Sequence, residues 1–190
     1  SKQSDFKGLL TATVRDTKEL ITCKKQEDTS ASAFQYYDRQ KVLYNGTDSI
    51  KNGEFTFTFA VPRDINYAAG TGLMNLSAIN DNHTLMAQGH EDGFTIDDSE
   101  IVYNDSIGPS IYAYLNSPSF VNGGEVNSTP YFFAQITDKD GINASGNGIG
   151  HDMQLTIDGK LTQTYILNDN FRYDFGSYTS GATGFSLPEL

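Results

Sequence analysis

Four apolar residues at alternate positions, Phe55, Phe57, Phe59 and Val61, restrict the fold of this chain more than any other feature. Successive side chains of a β-strand point to opposite faces of a sheet, so this spacing predicts a strand with one aromatic face buried and one polar face exposed. Pro62 follows, and because it has no N–H for a ladder it predicts the end of that strand. No segment has a helical periodicity of useful length, so the pattern favours an all-β chain.

Similar short runs of Phe, Tyr and Thr, separated by Gly, Asn and Asp, recur along the chain. Such runs with turn residues between them are typical of β-sandwiches. An acidic, polar segment at 97–105, followed by Gly108-Pro109, predicts a junction between two units. We therefore expect two tandem immunoglobulin-like β-sandwich domains, residues 1–100 and 101–190. Their other strands are predicted at 6–14, 34–37, 42–44, 72–80, 84–88 and 94–96, and at 110–115, 131–137, 152–157, 161–167, 171–174 and 184–187.

The charge balance excludes two classes of partner. The chain has 13 Lys and Arg against 24 Asp and Glu, a formal net charge of −11. A surface this acidic repels the phosphates of nucleic acids and the headgroups of anionic membranes. No apolar run approaches the length of about 18 residues that a membrane-spanning helix needs. We expect no nucleic acid partner and no insertion into a membrane.

The one cysteine, Cys23, excludes a disulfide within the chain. A single cysteine is a candidate nucleophile only where a histidine lies beside it in the fold. The three histidines, His83, His90 and His151, are all far from Cys23 in sequence. We therefore predict no catalytic residue in this chain.

The stretch from Asp138 to Asn143 has oxygen ligands at alternate positions and a glycine for the turn, as calcium loops do. A complete loop of that kind has a bidentate Glu at its twelfth position, and here that position is Ile149. Asp138, Asp140 and Asn143 are therefore weak metal candidates. The same residues are typical of an Asx turn, which we favour, and no cofactor or metal is expected.

A glycine-rich loop follows, with Gly146, Gly148 and Gly150 at alternate positions before His151 and Asp152. No Lys-Ser/Thr pair follows the glycines and no helix is expected after them, so this is not a nucleotide-binding loop. We predict a structural loop in which His151 makes a hydrogen bond that holds the loop in place.

Several longer stretches resemble one protein family. They are NGEFTFTFAVPRDINY at 52–67, IGP at 107–109, YLN at 114–116, FVNGG at 120–124, DKDGINASGNGIGHD at 138–152, IDG at 157–159 and ILNDNF at 166–171. Their order resembles the C-terminal, non-catalytic region of the type IX secretion sortases, which are gingipain-family cysteine peptidases of Bacteroidetes. The resemblance covers most of residues 6–190.

This resemblance implies a parent protein that is exported to the surface of a Gram-negative bacterium. There it would remove C-terminal sorting domains from cargo proteins and attach the cargo to lipopolysaccharide. The family's catalytic Cys/His pair lies in a separate α/β domain with no match here, so this fragment is expected not to be an enzyme. Its expected partners are the catalytic domain of the same chain and other surface or secretion proteins. The family pattern continues past Leu190, so the second sandwich is expected to lack its last strand or strands.

Two tripeptides, Asp48-Ser49-Ile50 and Asp105-Ser106-Ile107, resemble the O-glycosylation pattern of Bacteroidetes. Both are expected to lie in exposed turns, which makes Ser49 and Ser106 candidate modification sites.

A second interpretation is an independent surface adhesion or carbohydrate-binding module. In that case exposed tyrosines would stack on sugars, and the candidates are Tyr112, Tyr114, Tyr173 and Tyr178. The absence of Trp argues against this interpretation.

Overall fold

A computed structural model describes residues 3–23, 32–61, 70–96, 106–146 and 152–189. Within these ranges the regular structure is β-strand, with two single-turn 3₁₀ helices, Leu161–Gln163 and Asn168–Asn170, and no helix that is long and apolar enough to cross a membrane. The strands are β1 (Gly8–Arg15), β2 (Glu19–Thr22), β3 (Gln35–Asp38), β4 (Val42–Ile50), β5 (Leu73–Asn80), β6 (Met86–Glu91), β7 (Ser110–Leu115), β8 (Tyr131–Thr137), β9 (Gln154–Thr156), β10 (Thr164–Ile166), β11 (Arg172–Tyr173) and β12 (Ser180–Ser186).

The strands form two four-stranded sheets and two small hairpins, and all pairings are antiparallel. The first sheet has the order β4-β1-β5-β6, and the second has the order β11-β12-β8-β7. Strands β2 and β3 form one hairpin, and β9 and β10 form the other. The prediction of an all-β chain with sandwich-like packing is confirmed.

The buried face of the first sheet includes the apolar side chains at alternate positions of β1. Leu10, Ala12 and Val14 are 1%, 1% and 0% exposed. They lie directly opposite Ala78, Leu76 and Met74 of β5 in the antiparallel register, and these residues pack against the same core. Burial of a side chain of the size of Leu10 or Val14 stabilises the fold by about 1.5–3 kcal/mol relative to its exposed state.

The second sheet is built around β8. Its Ala134 and Ile136 are buried, and they lie opposite Thr183 and Gly181 of β12. The intervening residues point to the other face, as the period of two requires.

One apolar cluster joins the two sheets. The ring of Tyr44 in β4 stacks on that of Tyr173 in β11, with centroids 5.0 Å apart. Phe171 packs edge-on against Tyr173, and the cluster continues through Leu10 of β1 to Ile136 of β8. The division into domains 1–100 and 101–190 stays a prediction, and most of its junction lies outside the described residues.

The segment at 55–61, predicted as a strand, pairs with no strand among the described residues, and the bridge between Lys51 and Glu54 lies just before it. Phe57 and Phe59 are instead stacked on Tyr44, with centroids 5.7 and 5.5 Å from its ring. The alternation thus reflects burial of aromatic rings across the face of the first sheet, and the prediction of a strand there was wrong. The predicted strand at 94–96 is likewise reduced to a single bridge, Thr71 to Thr95.

Strand β12 corresponds to the strand predicted at 184–187, but it is longer. It begins at Ser180 and lies between β11 and β8, pairing with β8 along its whole length. Leu187 is 2% exposed, and its N–H donates to the carbonyl of Pro130. On the other side, β11 pairs with Gly181 and Ala182 alone. The missing last strand stays a prediction.

Candidate functional site

The loop after β8 begins with an Asx turn. The carboxylate Oδ1 of Asp138 accepts the N–H of Asp140 at 2.9 Å, and the side chain of Asp140 pairs with Lys139. Further along, Oδ1 of Asn143 accepts the N–H of Ser145 at 3.0 Å. Asp138 and Asn143 are therefore engaged with the backbone, and Asp140 with the side chain of Lys139. No group of three or more His, Cys, Asp or Glu side chains that could hold a metal occurs among the described residues.

Removing the Asx turn tests its structural role. We expect Asp138→Ala to lower the free energy of unfolding by about 0.5–1.5 kcal/mol, because a hydrogen bond to the backbone is lost. Asp138→Asn keeps the acceptor oxygen and should cost less than half as much in urea unfolding. Calcium should leave the melting temperature of all three proteins unchanged. A calcium-dependent rise that Asp138→Asn abolishes would identify an ion site instead.

The two ends of the glycine-rich loop are held by Asn168, a residue that sequence reasoning did not single out. Its Oδ1 accepts the N–H of Met153 at 2.9 Å, and its Nδ2 donates to the carbonyl of Ala144 at 3.3 Å. Gly146 has φ +64°, and a Cβ there would lie 2.7 Å from the Asn168 amide. Glycine is therefore required where the loop closes on Asn168.

Part of the predicted structural loop cannot be placed against Asn168. Gly148, Gly150 and His151 lie outside the described residues, so the predicted hydrogen bond of His151 stays a prediction. Asp152 is half-buried.

Tyr173 connects this loop to the core. Its hydroxyl donates to the carbonyl of Ile142 at 2.6 Å. Burial raises the pKa of Tyr173 and the neighbouring Tyr44 raises it further, while a backbone hydrogen bond from Ala144 partly opposes both. Burial, and then the charge of Asp48, raise the pKa of Tyr44 as well. Tyr173 is 8% exposed, so its proposed role as a sugar-stacking residue was wrong.

The raised pKa of Tyr173 has a consequence at alkaline pH. Above the ordinary tyrosine pKa of about 10, the unfolded chain loses a proton that the folded protein keeps. The stabilisation is therefore complete below about pH 10 and is lost as pH rises from there through the folded-state pKa. We expect Tyr173→Phe to make the fall of stability with pH shallower above about pH 10. Phe171→Leu keeps the Tyr173 hydroxyl, so a fall of stability above about pH 10 should remain in this variant, which denaturant unfolding can check.

A cleft of about 400 Å³ lies where β4 meets the glycine-rich loop and the residues before β11. Tyr44, Ser145, Asn168 and Arg172 are among the residues that line it. Arg172 donates through Nη1 to the carbonyls of Asp169 and Phe171 at 2.8 and 2.6 Å. The cleft is also lined by the carboxylate residue Asp169 and by Tyr173.

The outer face of the second sheet has a row of aromatic side chains, Tyr112, Tyr114, Phe133 and Tyr131, which we call the aromatic row. Tyr114 stacks on Phe133 across the β7–β8 pair, with centroids 4.9 Å apart, and Tyr112 is 5.8 Å from Tyr114. Tyr112 and Tyr131 are 57% and 45% exposed. Two of the tyrosines named from sequence, Tyr112 and Tyr114, are thus neighbours, whereas Tyr178 is half-buried against the core.

The remaining candidates are dispersed. Cys23 is exposed at the end of β2, and His90 lies in β6, while His83 is in the turn before that strand. Ser49 is half-buried within β4, so the expectation of an exposed turn was wrong for it. Ser106 is exposed, as expected. Glycosylation at both serines stays a prediction.

No family model matches this chain, and no curated protein matches it. Among solved structures, the chain is similar to the crystal structure of dimeric latent PorU from Porphyromonas gingivalis, with 34% sequence identity and a TM-score of 0.53. The match covers 99% of this chain and 18% of the PorU chain. Nearly all of this chain is therefore similar to one segment of PorU, in sequence and in fold.

Proposed function

We propose that this chain is a non-catalytic β-sandwich portion of a PorU-like cysteine endopeptidase of the bacterial cell surface. In this role it positions the catalytic domain of the parent chain or docks a secretion partner. The parent would process cargo of the type IX secretion system. The proposed location of the parent at the cell surface is supported by the similarity to PorU.

One observation carries this proposal: the similarity to a single segment of PorU at 34% identity over 99% of the chain. Identity at that level over a whole fold favours a shared role as well as a shared architecture. The internal contacts support a scaffold. Tyr44 and Tyr173 join the two sheets, and Asn168 holds both ends of the glycine-rich loop.

Two measurements test the proposal together. The purified chain should not cleave peptides that contain a sorting-domain junction, and Cys23→Ala should behave identically. The remainder of the parent polypeptide, prepared separately, should bind the chain in calorimetry. Peptide turnover that Cys23→Ala abolishes would contradict the non-catalytic role. Absence of binding to the remainder of the parent, together with absence of binding to any secretion component, would contradict the scaffold role.

A second candidate function, carbohydrate binding, is favoured by the aromatic row. Aromatic rings exposed on one sheet face suit the apolar faces of sugars. Tyr112→Ala and Tyr131→Ala should then weaken binding of lipopolysaccharide-derived glycans, while Tyr37→Ala, at a side chain that is 69% exposed in the β2–β3 hairpin, should not. If no glycan binds the wild-type chain, this function is excluded.

A further inference from the structure

Asparagine followed by glycine is the dipeptide that most readily loses its side-chain amide without any enzyme. The backbone nitrogen of the glycine attacks Cγ of the asparagine, and glycine has no Cβ to hinder that approach. The chain has four such pairs, at 45–46, 52–53, 122–123 and 147–148. The last pair lies outside the described residues, and the other three differ in how the attacking nitrogen is held.

The pair Asn45-Gly46 lies inside β4. Gly46 is buried and lies opposite Ala12 of β1. The carbonyl of the next residue, Thr47, accepts the N–H of Gly176 and is therefore directed away from β1. Hydrogen-bonded positions alternate along an antiparallel pair, so the N–H of Gly46 is directed to Ala12. Attack by this nitrogen would require β4 to separate from β1.

The pair Asn52-Gly53 is bonded to the segment before β1. Asn52 is exposed, but the N–H of Gly53 donates to the carbonyl of Phe6 at 2.9 Å. On either side of the pair, Lys51 and Glu54 are joined by two backbone hydrogen bonds of 2.9 and 3.0 Å. The nitrogen of Gly53 must therefore leave its acceptor before it can attack Cγ of Asn52.

The pair Asn122-Gly123 is the centre of an exposed turn in the loop between β7 and β8. The N–H of Gly124 closes the turn on the carbonyl of Val121 at 2.9 Å, a bond in which the N–H of Gly123 takes no part. Both residues of the pair are exposed, and a Cβ on Gly123 would meet no atom within 4 Å. Within the described residues no hydrogen bond engages this N–H or the Asn122 amide, so no contact must break before attack.

We propose that Asn122 is a site of spontaneous deamidation, and that the fold makes it react before Asn45 and Asn52. The nitrogen of Gly123 gives its proton to solvent and forms a bond to Cγ of Asn122. The bond from Cγ to the side-chain nitrogen breaks, and that nitrogen takes a proton from solvent and leaves as ammonia. A succinimide ring remains. Water adds to one of its two carbonyls, and ring opening gives an aspartyl or a β-aspartyl residue.

The products change the charge and the backbone of this loop. Residues 106–137 contain one charged residue, Glu125, and the new carboxylate takes the formal net charge of the chain from −11 to −12. A β-aspartyl residue also lengthens the main chain of the turn by one carbon atom. The ends of the loop are held separately, because Oδ1 of Asn116 accepts the N–H of Tyr131 at 2.8 Å. The change is therefore confined to the loop and leaves β7 paired with β8.

Peptide mapping of the purified chain after incubation in mildly alkaline buffer tests the order of the sites. Cleavage after Lys and Arg puts the four Asn-Gly pairs in different peptides, and mass spectrometry of each measures conversion of amide to carboxyl. We expect Asn122 to convert about tenfold faster than Asn52 or more, because Asn52 reacts only after local opening. Asn45 should stay intact. Asn122→Gln should remove the product at this position, since glutamine must close a larger ring.

The unfolded chain is the control for the effect of sequence alone. In concentrated guanidinium chloride the three pairs lose their different surroundings, and their rates should become similar. The proposal is overturned if Asn52 converts as fast as Asn122 in the folded chain, or if Asn122 stays intact there while it converts in denaturant. An equal ratio of the two rates in folded and unfolded chains would also contradict it. None of these results depends on the function proposed above.

Discussion

Tyr173→Ala should lower the free energy of unfolding by about 3–5 kcal/mol, the cost of removing a large aromatic side chain from a core. The ring is stacked on Tyr44, contacts Phe171 edge-on and is 8% exposed, so little of the space it leaves can collapse. The substitution also removes the hydrogen bond from the Tyr173 hydroxyl to the carbonyl of Ile142. Urea unfolding followed by circular dichroism measures the change.

Two control variants separate the contribution of the ring to stability from that of the hydroxyl, and from the effect of replacing any tyrosine by alanine. Tyr173→Phe keeps the ring and leaves the Ile142 carbonyl without this donor, at a cost of about 1–2 kcal/mol. Tyr37→Ala makes the same exchange at a side chain that is 69% exposed, and should cost less than about 0.5 kcal/mol. Equal losses from Tyr173→Ala and Tyr37→Ala would contradict the position of Tyr173 in the core.

Gly181→Ala should have the second large effect, a loss of about 1–3 kcal/mol or more from overpacking. A Cβ at this position would lie 2.4 Å from the ring of Phe171 and 2.6 Å from the carbonyl oxygen of Arg172. The ring is buried and the carbonyl belongs to the paired strand β11, so neither can move freely.

A matched glycine on an open edge provides the control. A Cβ at Gly89 in β6 would meet no atom within 4 Å, and Gly89→Ala should be neutral or stabilising by a few tenths of a kcal/mol. Thermal melts of the two variants make the comparison. If Gly181→Ala and Gly89→Ala have the same melting temperature, the close packing of β11 on β12 is absent in solution.

Periodicity predicted those elements whose side chains alternate between core and solvent. Leu10, Ala12 and Val14 identified β1 because sequence and burial share the same period. The same signal misled at Phe57 and Phe59, where the half-buried rings stack on Tyr44 and the backbone pairs with no described strand. Side-chain periodicity predicts which residues are buried, but it does not show whether the backbone is hydrogen-bonded to a neighbouring strand.

Turn-forming residues misled in the opposite direction. The stretch Asn45-Gly-Thr-Asp48 has the composition of a turn, and the predicted strand ended at Tyr44. In the structure β4 continues to Ile50, and the Tyr44 ring lies over Gly46, where a Cβ would be 2.4 Å from ring atom Cζ. The glycine allows the Tyr44 ring to pack directly against the backbone, and the turn propensity of the local sequence does not predict this contact. Asn168 was missed for a related reason, since its partners Ala144 and Met153 are distant in sequence.

The amide of Asn168 has a consequence for how this fold can vary. Because one side chain joins Ala144 and Met153, the two ends of the intervening segment stay close together whatever lies between them. The entropic cost of lengthening a closed loop grows only with the logarithm of its length, by about 0.6 kcal/mol for each doubling. The segment between Ala144 and Met153 can therefore be exchanged or lengthened at a small entropic cost without altering the sheets that carry it.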